Sequence, residues 1–524
     1  MPVPDLNRAL ERLDSSLLPF LRAIRSHLDG EVWLVGGFVR DLVLNRRPYD
    51  LDIAVAGRAR EGAQMLASGI GGHDFPLDED RGTFRVTLRE NAPLRTVDLA
   101  TLRGGAIEAD LGLRDFTANA MAAELTAAGI GPLMDPFRGL ADVGKKTVRM
   151  VSEGALRDDP LRLLRAPRLA VELGFDIEPD TASAISALAP TVLASAAERR
   201  RDELTRILAS ATAARGIRLL DELRLLEVLI PEITRARGVS QPERYHHFDV
   251  FDHCIESLAV ADWLLAETEP EGRMPRDMRS AFWAMLERHG LRQYLESATG
   301  GETRLVLTKL ATLLHDVSKP ETKGADETGR IRFLGHSERG AKVARQICRR
   351  FRLGSKETGF VSLLIAEHLR PAQLSQSGAP TERAIFRFFR DLGDAAPACL
   401  VLSLADAAAA AGPRLTLSRW RGHVAYISYV LDRAAFQAAT LRQARGKRHF
   451  VSGDRLIQRL GVRPGPEVGR LLAAIDEAAA TGELHTEEEA IELANGLRQS
   501  WRQDAPAPDT ARADHSSGLG AKGS

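Results

Sequence analysis

An excess of charge of either sign is what this chain lacks: 71 basic residues balance 71 acidic ones over 524 positions. No global positive field advertises a nucleic-acid partner, so any RNA contact has to use local basic patches. Cysteine is scarce. Cys254, Cys348 and Cys399 lie far apart with no CxxC pair, which suits free thiols in a reducing compartment. No run approaches membrane-spanning length. The start, MPVPDLNRALERLDSSLLPF, is acidic and amphipathic and lacks the apolar core of a signal peptide. No internal repeat of fixed period is present. These absences point to a cytoplasmic protein without a membrane partner, and its length predicts several domains with substantial cores.

What is present changes along the chain. Residues 5–28 carry Leu6, Leu10, Leu13, Leu17, Leu21 and Ile24 at helical spacing. From Glu31 to about Leu125 the runs VWLV, LDIAV, TFRVTL and RTVDLAT have strand character, with helices between them. Beyond about Thr147 the chain reads as almost wholly helical. The acidic stretch 267–277 and residues 320–330 and 370–381 read as polar breaks. The end, after about Gln503, has almost no large apolar residues and reads as disordered. A small α/β head on a long all-α body is the expected architecture.

The most informative stretch is VWLVGGFVRDLVLNRRPYDLDIAV. Asp50 and Asp52, one residue apart on a predicted strand, point to the same face. Together they can hold divalent cations, Mg²⁺ above all, that bridge the phosphates of a nucleoside triphosphate. Gly36 and Gly37 let backbone N–H groups approach those phosphates unobstructed. No Gly-Lys-Ser/Thr follows them, so this is no P-loop. Arg40, on the helix opened by the glycines, can neutralise phosphate charge, and Asp98 in RTVDLATLR offers a third carboxylate. The pattern predicts two-metal nucleotidyl transfer, with a 3′-hydroxyl attacking and pyrophosphate leaving in line.

At this point the chain resembles the family of class II tRNA nucleotidyltransferases and bacterial poly(A) polymerases. LVGGFVRD with DLD looks like that family's metal motif. LGLRDFTANAMAAEL is similar to its Arg-Arg-Asp-Phe-Thr-x-Asn-Ala segment, and RDDPLRLLRAPRLAVELGFDIEPDT to its nucleotide-selecting helix. AERRRDELTRIL and VSGDRLIQRLGVRPGPEVGRLLAAI resemble later motifs. The resemblance implies a head with a five-stranded sheet, followed by helical neck, body and tail that grip tRNA, with CTP and ATP as substrates. Two positions depart from the family pattern: Asp158 stands where Glu is usual, and Leu113-Arg114 where two arginines are usual. Only Arg114 is therefore carried over as nucleotide-binding.

The residues of DDPLRLLRA support the same chemistry. On one helix, Asp158 and Asp159 could share a face with Arg162. A carboxylate accepts from the exocyclic amino group of cytosine or adenine, while arginine donates to the adjacent ring acceptor. Uracil and guanine present a carbonyl there instead, at a cost on the order of 1–3 kcal/mol per mismatched contact. Arg165 resembles another family arginine that contacts nucleotide. Asp115 and Asn119 lie four apart on a predicted helix, where Asp115 could equally serve as an N-cap.

A second constellation lies in the helical body: His253, His315-Asp316, His336, His368 and Asp406. Neighbouring His and Asp on the apolar stretch LATLLHDV would be costly to bury unless paired or metal-bound. Imidazole and carboxylate ligands suit Mn, Fe, Zn, Ni or Mg, and Asp316 could bridge two ions. The set resembles the HD phosphohydrolase superfamily, which implies metal-activated water attacking a phosphate ester at an RNA end. Residues 349–352, 199–201 and 442–448 are basic patches that could contact tRNA backbone or simply be solvated.

The expected layout is a nucleotidyltransferase head over 1–146, a helical neck with the nucleotide-selecting motif over 147–235, and an HD domain over 236–412. A tRNA-binding helical tail over 413–502 and a disordered end over 503–524 complete it. The expected activity is CCA addition to tRNA. Addition of A or CC alone is an alternative, as is poly(A) synthesis, although the Gly-Arg/Lys-Arg-Phe segment typical of bacterial poly(A) polymerases is missing after Asp52. A metal phosphohydrolase with an RNA-binding head is the alternative of another class.

Overall fold

A computed structural model describes residues 3–79, 81–242, 246–266, 275–374, 378–446 and 451–503. Of the loop expected at 267–277, residues 267–274 lie outside the described residues and a helix, Arg276–Arg288, begins within the rest. Residues 504–524 of the expected disordered end and the basic 447–448 pair also lie outside. The described chain forms two units, residues 1–369 with 398–421, and residues 370–397 with 422–524.

The head is built on a mixed sheet. Its strands are β1 (Val32–Val35), β2 (Asp50–Val55), β3 (His73–Asp78), β4 (Thr83–Thr87), β5 (Thr96–Thr101), β6 (Ala122–Thr126) and β7 (Gly129–Met134). They run in the order β3-β4-β5-β2-β1-β6-β7. This is seven strands rather than five. The additions escape sequence patterning because β3 is an edge strand exposed along its whole length and interrupted by Pro76, while β6 and β7 are rich in Ala and Gly. β2 and β5 pair in parallel with Asp52 opposite Asp98 and Asp50 opposite Thr96. Side chains alternate along a strand, so Leu51 and Ile53 enter the core while Asp50 and Asp52 share the other face.

Three expected helices are broken. Residues 5–28 form two helices, Leu6–Leu13 and Leu17–Ser26, because the Asp14 carboxylate accepts from the Ser16 backbone and hydroxyl (2.9 and 2.6 Å) and turns the chain. The segment holding Asp115 and Asn119 has only a short 3-10 turn at Thr117–Asn119, after an extended Phe116. DDPLR is likewise no single helix. Glu153–Asp158 ends where Asp159 becomes extended (φ −141°, ψ 97°), and a new helix runs Arg162–Leu173. The residue before a proline is sterically driven out of the helical region, and Pro160 does this to Asp159.

Beyond the head the first unit is almost entirely helical, apart from small strand pairs such as Thr147–Val148 with Asp176–Ile177. The polar break expected at 320–330 runs into a hairpin of Lys323–Ala325 and Ile331–Phe333. The stretch Glu382–Arg414 is long and apolar enough to cross a membrane, contrary to the expectation that no run is. Its most apolar window is, however, 67% buried within the protein, as the helix of a folded core is. The second unit has a core of its own around Leu456, Leu471, Ile475 and Ala490. There Glu477 accepts from Arg387 at 2.7 Å.

Candidate active site

The glycine cradle and Asp52 form one piece of geometry. Gly36 opens the helix Gly36–Val43 at φ +67°. A Cβ there would fall 2.9 Å from Asp52 Oδ2 and 3.0 Å from an Arg114 terminal nitrogen. The Gly37 N–H donates to Asp52 Oδ2 at 3.1 Å. Burial raises the Asp52 carboxyl above its ordinary range, and the neighbouring Asp98 charge adds to this, against Arg114 and the Gly37 hydrogen bond. A carboxylate held in that state is relieved by a bound cation, and hard oxygen donors suit Mg²⁺. Asp50 is exposed and accepts from the Thr96 hydroxyl at 2.8 Å.

Asp98 lies beside Asp52 as the strand register requires, but it is already engaged. Arg85, its partner across β4 and β5, donates to both its oxygens at 2.7 Å. Among the described residues, Asp50, Asp52 and Asp98 form no cluster with ligand atoms within 4.8 Å of one another. Asp98 is thus paired with Arg85 beside Asp52. Sequence reasoning missed Arg85, whose role comes from register alone.

The arginines around the cradle are held rather than free. Arg40 donates to Asp41 (2.7 Å) and Asn119 (2.7 Å). Asn119 in turn donates to Asp115 at 3.1 Å, and Arg165 reaches the other Asp115 oxygen at 2.9 Å. Burial opposes ionisation of Asp115, but Arg165 overcomes it and holds the pKa low. Asp115 thus joins the glycine helix to the neck helix instead of acting as an N-cap for a long helix.

The base-selecting candidates separate. Asp158 is exposed at a helix end. Asp159 is 6% exposed, and its Oδ2 accepts from Arg199 (3.0 Å) and Arg81 (3.3 Å). Its pKa is lowered although burial opposes this, mainly through Arg199. Arg162 donates to the Ala155 carbonyl at 2.8 Å, and burial lowers its pKa. Arg199 and Arg81 carry no local motif that would have linked them to Asp159. In the other basic patches, Arg200 donates to the Leu193 carbonyl (2.7 Å) and Arg350 to the Leu229 carbonyl (3.0 Å) and Glu232.

The histidine set converges. His253 Nε2 lies 3.2 Å from His315 Nε2 and 3.0 Å from Asp406. Asp316 is 3.2 Å from His315, 3.3 Å from His336 and 3.8 Å from His368. The Nδ1 atoms of His315, His336 and His368 face the carbonyls of Thr312, Phe333 and Ile365 at 2.7–2.8 Å. With Nδ1 donating, each Nε2 lone pair is directed inward, the arrangement of metal ligands. Asp316 Oδ1 and His336 Nε2 are buried without a hydrogen-bond partner, which is costly unless a cation sits between them. Two groups that could each hold a metal ion result, His253–His315–Asp406 and Asp316–His336–His368. Burial holds the His368 pKa down at about 4. Lys319, missed from sequence, bonds Asp316 at 2.6 Å and Gln241 at 2.7 Å.

Known proteins share these parts. Residues 32–149 match the poly A polymerase head domain, 174–237 the probable RNA and SrmB-binding site of polymerase A, and 250–411 the HD domain. The chain is 36% identical over 479 residues to an A-adding tRNA nucleotidyltransferase of Deinococcus radiodurans, spanning 90% of this chain and 96% of that one. It is 33% identical over 489 residues to a CC-adding tRNA nucleotidyltransferase of Thermus thermophilus, spanning 92% and 96%. In fold it resembles a CCA-adding enzyme solved with ATP, at TM-score 0.62 and 21% identity over 96% of this chain and 100% of that one.

Proposed function

The chain belongs to the tRNA nucleotidyltransferase family, and on that footing we propose that it completes or repairs the 3′-terminal CCA of tRNA from CTP and ATP, in the cytoplasm. The observation that carries this reading is the Asp52 carboxylate held by the Gly37 N–H beneath Gly36, with Arg114 alongside. Residues 1–146 perform the transfer and 147–235 select the base. Residues 236–412 hold the second metal site, and 413–502 grip tRNA.

Asp50 and Asp52 would hold Mg²⁺, which supplies Lewis-acid neutralisation of the triphosphate. The chain's own groups do the rest. The glycine backbone admits the phosphates, and Arg40 with Arg114 faces their charge. Asp159 and Arg162 read the base edge, which requires Asp159 to release at least one of Arg199 and Arg81 when the base arrives. Asp98 belongs to this reading as a positioning group for Arg85.

A second reading is addition of only part of CCA. Relatives that match nearly the whole chain at over 30% identity include A-adding or CC-adding enzymes of Deinococcus, Thermus and Geobacter. One experiment separates the readings. The protein is given Mg²⁺ and tRNAs ending before CCA, after C or after CC, with each triphosphate supplied singly. CTP and then ATP incorporation that stops at the complete end supports full addition. ATP addition to the CC end alone makes it an A-adding enzyme, and arrest after CC a CC-adding one. No incorporation on any tRNA refutes the proposal.

The histidine site would hold a divalent transition metal or Mg²⁺ and hydrolyse a phosphate ester at an RNA end. The inward-facing Nε2 atoms and orphaned Asp316 Oδ1 support this. Metal-dependent release of phosphate, or opening of a 2′,3′-cyclic phosphate, that is lost in Asp316→Ala tests it.

A further inference from the structure

Asp110 is buried at 2% exposure on the short helix Ile107–Gly112, and it serves two arginines at once. Its Oδ1 accepts from the backbone N–H (3.3 Å) and Nε (3.1 Å) of Arg103. Its Oδ2 accepts from Nε (3.1 Å) and a terminal nitrogen (3.0 Å) of Arg114. Burial opposes ionisation of Asp110, but the two guanidiniums outweigh it and keep the carboxylate charged. One carboxylate thus holds two guanidiniums side by side.

Arg114 reaches on to the cradle. The remaining terminal nitrogen of Arg114 faces Gly36, at the place where Asp52 Oδ2 also sits. Arg103 meets Asp110 through Nε, and its side chain is 37% exposed. The chain reverses directly after it through Gly104 at φ +73°, which is how the Arg103 backbone and side chain both reach Asp110. Leu113, where the resembled motif has its first arginine, is 38% exposed. The second positive charge therefore comes from a residue ten positions upstream of it.

We propose that Arg103 and Arg114 form a two-guanidinium clamp for the β- and γ-phosphates of the incoming nucleotide, with Asp110 as the positioning residue that holds both. The proposal rests on the nucleotidyl-transfer reading above for its ligand. Guanidiniums bind phosphate oxygens in a planar, bidentate manner, and such contacts ignore the base.

The test compares the full-length protein with Arg103→Ala, Arg103→Lys and Asp110→Asn. Binding of Mg²⁺-tripolyphosphate is measured by calorimetry, and KM and kcat for CTP and ATP on a suitable tRNA. Loss of a charge-assisted contact in Arg103→Ala should weaken tripolyphosphate and raise the KM of each nucleotide used by about tenfold or more. Arg103→Lys should recover part of this, and Asp110→Asn, which leaves both guanidiniums without their carboxylate, should raise KM as well as lower the melting temperature. Unaltered tripolyphosphate affinity in Arg103→Ala overturns the clamp, as does a KM change confined to one of two nucleotides used. An Asp110→Asn that lowers the melting temperature with KM unmoved overturns its positioning role; should it fail to fold, the Arg103 pair decides the clamp. Arg103-dependent tripolyphosphate binding by a protein that extends no tRNA would sustain the clamp and sink nucleotidyl transfer.

Discussion

Gly36→Ala and Gly37→Ala alter adjacent residues of one motif, yet the structure separates them sharply. At Gly36 the backbone sits at φ +67°, which for an L-residue costs about 1–2 kcal/mol. The new methyl would stand 2.9 Å from Asp52 Oδ2 and 3.0 Å from Arg114, so one of them has to move. Neither moves freely: Asp52 is held by the Gly37 N–H and Arg114 by Asp110 at 3.0–3.1 Å. At Gly37 a methyl meets its nearest neighbours, Arg40 and Asp52, only at 3.5 Å, ordinary contact distance. Displacement of a reacting group by an ångström costs roughly 10²-fold in rate. Gly36→Ala should therefore lower kcat for CTP or ATP addition by about 10²-fold and stability by about 1–2 kcal/mol. Gly37→Ala should stay within about 0.5 kcal/mol of wild type. Urea unfolding and single-turnover incorporation into tRNA measure both. Equal losses in the two variants would refute the idea that Asp52 and Arg114 crowd one glycine.

Other perturbations follow from the same contacts. Because its folded pKa is raised, Asp52 favours folding below its unfolded pKa and opposes it as pH rises through the folded value. Asp52→Asn should thus stabilise the metal-free protein at neutral pH while abolishing transfer; a destabilised Asn variant in chelator would contradict that sign. Asp159 has the opposite sign, its lowered pKa giving stability that is present above its unfolded pKa and lost as pH falls through the folded one. Asp159→Ala should cost about 1.5–3 kcal/mol by leaving Arg199 and Arg81 without their acceptor, and should blunt base selection, whereas the exposed Asp158→Ala should stay within about 0.5 kcal/mol. Denaturant titration and competition between the four triphosphates would reveal a reversed ranking. A divalent metal at about 100 times its Kd should stabilise the folded protein by about 2.7 kcal/mol through the histidine site. Calorimetric scanning of His315→Ala should show that gain gone if His253, His315 and Asp406 are ligands together.

Much of the site was legible because it is local. Two aspartates a residue apart on an apolar strand must share a face, and glycines before a short helix announce close backbone approach. The histidine set was visible as an ordered series, since ionisable residues inside apolar helices demand partners. The broken neck helix was also written in the chain, in Pro160, although the helical spacing of Asp158, Asp159 and Arg162 concealed it. The exposed edge strand β3 and the Ala- and Gly-rich β6–β7 hairpin were hidden for another reason. Their formation depends on neighbouring strands and leaves little trace in periodicity.

Residue type and short-range spacing settled which chemistry the chain carries, because hydrogen-bonding capacity and strand or helix period are properties of a few neighbouring residues. Only the folded chain decided which of those residues answer to one another. Register set Asp98 against Arg85, a glycine turn brought Arg103 to Asp110, and separate helices turned their Nε2 atoms on Asp316. Electrostatic and hydrogen-bonding partners are fixed by distances of about 3 Å in space, and separation along the chain does not encode those distances.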